Sequence, residues 1–400
     1  MTADLVIRSA RIWQGADADP IEGDLRIADG RIVELGSVGA APDITVVEAA
    51  GRTLIPGLID AHFHAYAATL DGLTQEARPL SLAAIQATAR LGAALRRGFT
   101  TVRDPAGGDI GLARAIEGGL FASPRYLYSG PALSQTGGHG DEVPADLQVC
   151  LHSHLVTRVV DGVDAIRLAA RQNLKQGASL IKLMTSGGVF SPSDPLERPQ
   201  YSADEIRAVV EEAGRRGAYV AAHAYSPEAI LHSIEHGVRT IEHGNLLDEA
   251  TAAAMASHGA YLDPTLATYD AMDRVGPSLG LPGFAIEKNR LVLESGVRAI
   301  ELAQAVGVPV GFGTDLLGEM ESRQLHGLRR QAEAMGTAAA IDAATRVNAE
   351  LIACDEVGRL EVGFAGDAVL LDGDPLVDLD VLCDPGRERV VVQGGRVVGQ

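Results

Sequence analysis

The chain has 400 residues, 46 % of them hydrophobic, enough for one large domain and a small one. A formal net charge of −19 opposes any partnership with nucleic acid or an anionic membrane surface, and no apolar run is long enough to cross a bilayer. Its three cysteines, Cys150, Cys354 and Cys383, are far apart, and the opening MTADLVIRSARIW lacks the basic and apolar regions of a signal peptide, so a cytoplasmic protein is expected.

From Asp4 to about Val47 the runs are short and strand-like, DLVIRSARIW and then DLRIADGRIVELG, with Asp29-Gly30 as a hairpin turn. The C-terminal GDAVLLDGDPL and RERVVVQGGRVVG have the same texture, the last turning at Gly394-Gly395. Two β segments too short to hold a core alone pair most simply with each other. The expectation is a composite β-sandwich domain from residues 1–53 and 356–400.

Between them, residues 54–355 alternate apolar strand-like runs with Ala-rich, charged helical stretches, the signature of repeated β-α units. Eight strands are predicted, at 54–64, 99–104, 125–130, 178–184, 218–225, 240–244, 260–266 and 308–315. Several intervening helices end in Gly98, Gly177, Gly217 or Gly237, as C-caps should. Eight such units point to an α/β fold, a closed (β/α)8 TIM barrel, with an open doubly wound sheet as the alternative.

The first predicted strand, LIPGLIDAHFHA, ends in His62-Phe63-His64. Side chains two apart in an extended chain share a side, so both imidazoles emerge together, which is half of a metal site. In a barrel the chemistry sits at the C-terminal ends of strands. The polar residues there are His62 and His64, then Lys182 in SLIKLM, His223, His243 and Asp315. A buried lysine is costly unless paired or uncharged, and an uncharged amine can take up CO₂ as a carbamate. Singly, each of these residues also has an ordinary structural explanation: a buried ion pair for Lys182, core histidines, an N-cap for Asp315.

Together the His-x-His, Lys, His, His, Asp order resembles the binuclear pattern of the amidohydrolase superfamily, over nearly the whole chain. The resemblance implies two divalent metal ions, zinc being expected, with His62, His64 and Asp315 holding one and His223 and His243 the other. Carboxylated Lys182 would bridge them. Two such ions make hydroxide available from a shared water and polarise the scissile carbonyl, and Asp315 can pass the proton to the leaving amine. The outcome is hydrolysis of a carbonyl–nitrogen bond.

Two Gly-rich stretches, ALSQTGGHGD (132–141) and Thr185-Ser186-Gly187-Gly188-Val189, with HAY (223–225) and TTVRD (100–104), look like the prolidase-like branch. That branch includes Xaa-Pro and Xaa-Arg/Lys dipeptidases and ochratoxin-cleaving amidases. By that resemblance His139 would hydrogen-bond the substrate carbonyl or carboxylate, and Tyr225 would bind the carboxylate end of the leaving amino acid. A small-molecule amide or dipeptide substrate and a homo-oligomer are implied. The acidic GTDLLGEMESRQLHG after strand eight departs from many relatives. Asp109, Asp194 or Glu319 could supply an acidic specificity group. A cyclic-amide hydrolase or deaminase would keep the site, although Lys182 counts against deamination, and a non-catalytic scaffold is the reading of another class. His152 and His154 are read as loop residues, and His232, His236, His258 and His326 as surface or interhelical ones.

Overall fold

The computed structural model describes residues 4–39, 44–141, 143–144, 146–147, 154–191 and 194–399. A ring of parallel strands lies at its centre. Strand one (Leu58–Asp60) pairs with strand two (Phe99–Asp104), and strand two with strand three (Arg125–Tyr128). Strands four (Leu180–Met184), five (Tyr219–Ala224), six (Thr240–His243) and seven (Tyr261–Asp263) form a second parallel ladder. The ladders join where Ser179 N donates to Tyr128 O at 3.0 Å, and a short strand, Ala132–Ser134, meets Leu183. Segment 308–315 closes the ring: Gly311 N donates to Leu262 O at 2.8 Å on one side, and Ala61 N donates to Phe312 O at 2.9 Å on the other. The (β/α)8 barrel is therefore closed.

Period-two alternation divides each strand between two environments. Ile181, Leu183, Val220, Ala222, Ile241 and Leu262 face outward and bury against helices, in one cluster with Ile166, Val209, Ile230, Met255 and Ile300. Lys182, between two of them, faces in and lines a cavity. The helices begin where their caps dictate: Ser202 and Glu205 form a capping box before Ala203–Gly214, and Ser226 caps Pro227–Ile234.

Three predicted strands differ in outline. The first divides at Gly57, where a Cβ would lie 2.1 Å from Thr100 Oγ1, so the chain passes close to strand two and changes sheets. Thr53–Pro56 then belongs to the small sheet and only Leu58–Asp60 to the barrel. The seventh ends at Asp263, because Thr265 adopts φ 45° and starts the helix Leu266–Val275. The eighth, interrupted by Pro309, Gly311 and Gly313, keeps a single bridge, Leu262 to Val310. The small sheet has eight strands and joins both ends of the chain through antiparallel pairing of Thr53–Pro56 with Ala368–Leu371. Its core includes Leu5, Ile7, Ile12, Leu25, Ile27, Leu54, Leu370 and Val392.

Two buried side chains replace the ladder that segment 308–315 lacks. Asn348 Nδ2 donates to Ile59 O at 2.8 Å and to Phe312 O at 2.7 Å, while its Oδ1 accepts from Phe312 N at 2.9 Å. Asp60 accepts from the amide and hydroxyl of Thr314 and from Gln324. Asn348→Ala removes three bonds and leaves buried backbone groups unpaired, so it should destabilise the fold by about 3 kcal/mol. Urea denaturation checks this, and a loss below about 1 kcal/mol would contradict it.

Candidate metal centre and active-site cavity

A cavity of 760 Å³ opens at the C-terminal ends of the strands. Its lining includes His62, His64, His139, Lys182, His223, Tyr225, His243 and Asp315, so the expected metal ligands and substrate-binding residues converge there, whereas Asp109, Asp194 and Glu319 are not in the lining. The His62 and His64 ring centroids are 5.0 Å apart, His62 and His243 5.3 Å, and His223 and His243 4.5 Å. Period two would turn His243 outward beside Ile241. Its φ of 75° brings it into the cavity instead, and Asp315 sits at φ 51°. Both conformations are costly for a residue with a Cβ and belong to sites where position outweighs stability.

His62, His223 and His243 each have one nitrogen hydrogen-bonded to the surrounding protein. His62 Nδ1 lies 2.7 Å from Glu242, and His64 Nδ1 3.5 Å from Asp104. His243 Nδ1 is 2.7 Å from Thr265 Oγ1, whereas His223 uses Nε2, 3.1 Å from the Gly187 carbonyl. The second nitrogen of His62, His223 and His243 is left for the cavity, the arrangement in which carboxylates, hydroxyls and carbonyls orient metal-ligating histidines. His64 Nε2 lies 2.8 Å from Asp315 Oδ1.

The donor set fits a divalent cation. Burial holds His62, His223 and His243 well below the usual histidine range, so they are neutral with lone pairs available. Burial raises Asp315, but His62 and His64 outweigh it and keep the carboxyl ionised. His64 is the exception: burial lowers it, yet Asp104 and Asp315 lift it to about 9, so a proton stands where positive charge is wanted. Burial pushes Lys182 down to about 8. His62, His243 and Asp315 offer ligand atoms within 4.8 Å of one another. His62, Glu242 and Asp263 do the same, but Arg103 already supplies the positive charge there.

That guanidinium is the foundation of the site. Fully buried in strand two, Arg103 lies 2.6 Å from Glu242 and 3.4 Å from Asp263, bonds Thr240 Oγ1 at 3.2 Å and donates Nε to the Ala61 carbonyl. Sequence reasoning did not single out Arg103, Glu242 or Asp263. The available signal was two charged residues inside the apolar runs FTTVRD and TIEHG. Thr265 and Tyr269 carried no signal.

His139 stacks on His223 at 4.2 Å, its amide donating to Gln200 Oε1 at 3.0 Å and its Nδ1 3.9 Å from Asp194. A Cβ on Gly188 would lie 2.1 Å from that ring, so only glycine admits the stack. Tyr225 OH is 2.8 Å from Tyr269 OH. Elsewhere, Asp109 caps the helix Ile110–Glu117 and accepts from Tyr66. His154 lines a separate depression, His232 reaches the Tyr201 carbonyl, and His326 pairs with Asp270. His152 lies outside the described residues.

Residues 53–398 match the Amidohydrolase family. Ochratoxinase of Aspergillus niger is 30 % identical over 420 residues, spanning 99 % of this chain and 87 % of its own. The structure of a prolidase in complex with N-methylphosphonate-L-proline is 42 % identical, with both chains covered in full and a TM-score of 0.96. That of a Xaa-Pro dipeptidase with bound methionine is 27 % identical over 99 % of each chain, with a TM-score of 0.86. The family match with the ochratoxinase, prolidase and dipeptidase relatives supports a hydrolase acting on amide or peptide bonds. The chain belongs to the amidohydrolase family, whose members are generally metal-dependent.

Removing the foundation should be severe. Arg103→Met leaves Glu242 and Asp263 buried without a cation and should lower stability by about 3–5 kcal/mol. A shift in denaturation equivalent to less than about 1 kcal/mol would contradict that role.

Proposed function

We propose that this chain is a binuclear metal-dependent amidohydrolase that cleaves the amide bond of a dipeptide or N-acyl amino acid. The observation that carries the reading is the convergence of His62, His64, Lys182, His223, His243 and Asp315 on one cavity. His62, His64 and Asp315 would hold one ion, His223 and His243 the other, and carboxylated Lys182 would join the two sets. Divalent ions there, zinc being expected, would supply a water acidic enough to attack at neutral pH and a Lewis acid for the carbonyl.

The chain's own residues do the rest. With Lys182 at about 8, on the order of one amine in ten is uncharged at pH 7, and that lone pair forms the N–C bond to CO₂ as a proton leaves. Asp315 takes the proton of the attacking water and returns it to the departing nitrogen. His139 holds the substrate carbonyl or carboxylate, and Tyr225 the carboxylate of the leaving amino acid.

The remaining lining favours neutral groups. Leu70, Val189, Phe190, Met272, Leu281 and Leu317 make an apolar wall. Besides Asp315 the lining carboxylates among the described residues are Asp71 and Glu76. Asp71 caps Thr74, and Glu76 accepts from the amides of Leu155, Val156 and Thr157. That arrangement supports apolar over basic side chains. No helix among the described residues is long and apolar enough to cross a membrane. A cytoplasmic homo-oligomer acting on a small molecule completes the proposal.

A library of dipeptides and N-acyl amino acids tests it: released amine is expected for members with apolar groups and a free carboxylate, and hydrolysis of none would refute it. Lys182→Ala should abolish turnover, with partial rescue by short carboxylic acids; an unchanged rate removes Lys182 from the mechanism. Asp315→Asn should lower kcat by roughly two to four orders of magnitude with the fold intact. Wild-type turnover would refute the proton transfer.

A further inference from the structure

Tyr269 lies in the helix Leu266–Val275 after strand seven. Its hydroxyl is 2.8 Å from His243 Nδ1 and 2.8 Å from the Tyr225 hydroxyl. Thr265 Oγ1, 2.7 Å from the same Nδ1, stands 3.5 Å from Tyr269 OH. All four side chains are buried, and both tyrosines line the cavity.

The string from His243 through Tyr269 to Tyr225 can be polarised in either direction. Its direction is set at the histidine. With Nδ1 engaged by the two hydroxyls, Nε2 is the nitrogen left for the cavity, where a ligand must present a lone pair. The proton of the neutral ring then sits on Nδ1, which can only donate. Tyr269 oxygen receives that bond, directly or through Thr265, and its own O–H points on to Tyr225. Tyr225 oxygen is therefore the acceptor, and its O–H turns out into the cavity. The reverse arrangement would present an acceptor there and favour an ammonium group.

We infer that Tyr269 is a positioning residue: it fixes Tyr225 as a hydrogen-bond donor to the carboxylate end of the substrate and ties that end to His243. The inference rests on the reading of this cavity as an amide-hydrolase site. It goes beyond that reading by assigning the preference for an acidic over a neutral substrate end to a tyrosine on a different strand–helix unit.

The test compares N-acetyl-L-phenylalanine with N-acetyl-L-phenylalaninamide on the holoenzyme, in wild type, Tyr269→Phe, Tyr225→Phe and the double variant. Tyr269→Phe should raise KM for the acid about tenfold more than KM for the amide, with any change in kcat shared by the two substrates. Calorimetric binding of L-phenylalanine should weaken in parallel. In the Tyr225→Phe background the second substitution should add nothing, since the two hydroxyls act as one unit. Equal losses for acid and amide, or additive losses, would overturn the inference while leaving the proposed function standing. A wild type preferring the amide would overturn both. Should Tyr269→Phe fail to fold, Tyr225→Phe decides: it must lose the preference for the acid, and retention of that preference overturns the inference.

Discussion

The pairing of Arg103 with Glu242 at the centre of the barrel is the interaction on which the rest depends. Five imidazoles, a lysine and several carboxylates crowd the cavity and the layer beneath it, and burying them together is unfavourable unless charge and hydrogen bonds are balanced in place. Arg103 ties strand two to strands six and seven through Glu242 and Asp263 and to strand one through the Ala61 carbonyl. Glu242 in turn faces His62 Nδ1. The cation that stabilises the barrel's interior is thus one contact from the first candidate ligand. Burial and Glu242 push Asp263 toward its protonated form, so one guanidinium need not face two full charges.

Above that layer the structure gives up local stability for position. His243, Thr265 and Asp315 all hold positive φ, and for the β-branched Thr265 the cost is greatest. Each sits where a strand stops; His243 and Asp315 line the cavity and Thr265 supports His243 from behind, so regular alternation is broken where side chains must converge. Asn348 and Asp60 carry the compensating hydrogen bonds, stitching strand one to a segment whose glycines and proline prevent an ordinary ladder.

The fold was legible because its periodicities are strong. Alternating apolar runs and Ala-rich helices marked the barrel, and Asp29-Gly30 and Gly394-Gly395 marked the hairpins of the small sheet. Strand one ran too long in the sequence reading because LIPGLID is uniformly apolar. Apolar character does not distinguish a strand of the small sheet from one of the barrel, and only the contact of Gly57 with Thr100 divides them. The cavity residues at strand ends were legible as polar interruptions of apolar runs. Tyr269 and Thr265 were not, because their roles come from a helix folding back over strand six and leave no pattern in the chain. Arg103 and Glu242 stood in plain view as buried charges, but what they pair with is a fact of three dimensions.

The central claim is that six side chains form one preorganised site for a pair of cations. Anomalous diffraction from crystals of the zinc-loaded protein tests it most directly. The account predicts two peaks a few ångström apart, one against His62, His64 and Asp315 and one against His223 and His243, with density extending from Lys182 between them. A single peak elsewhere, or Lys182 turned away from both ions, would contradict it.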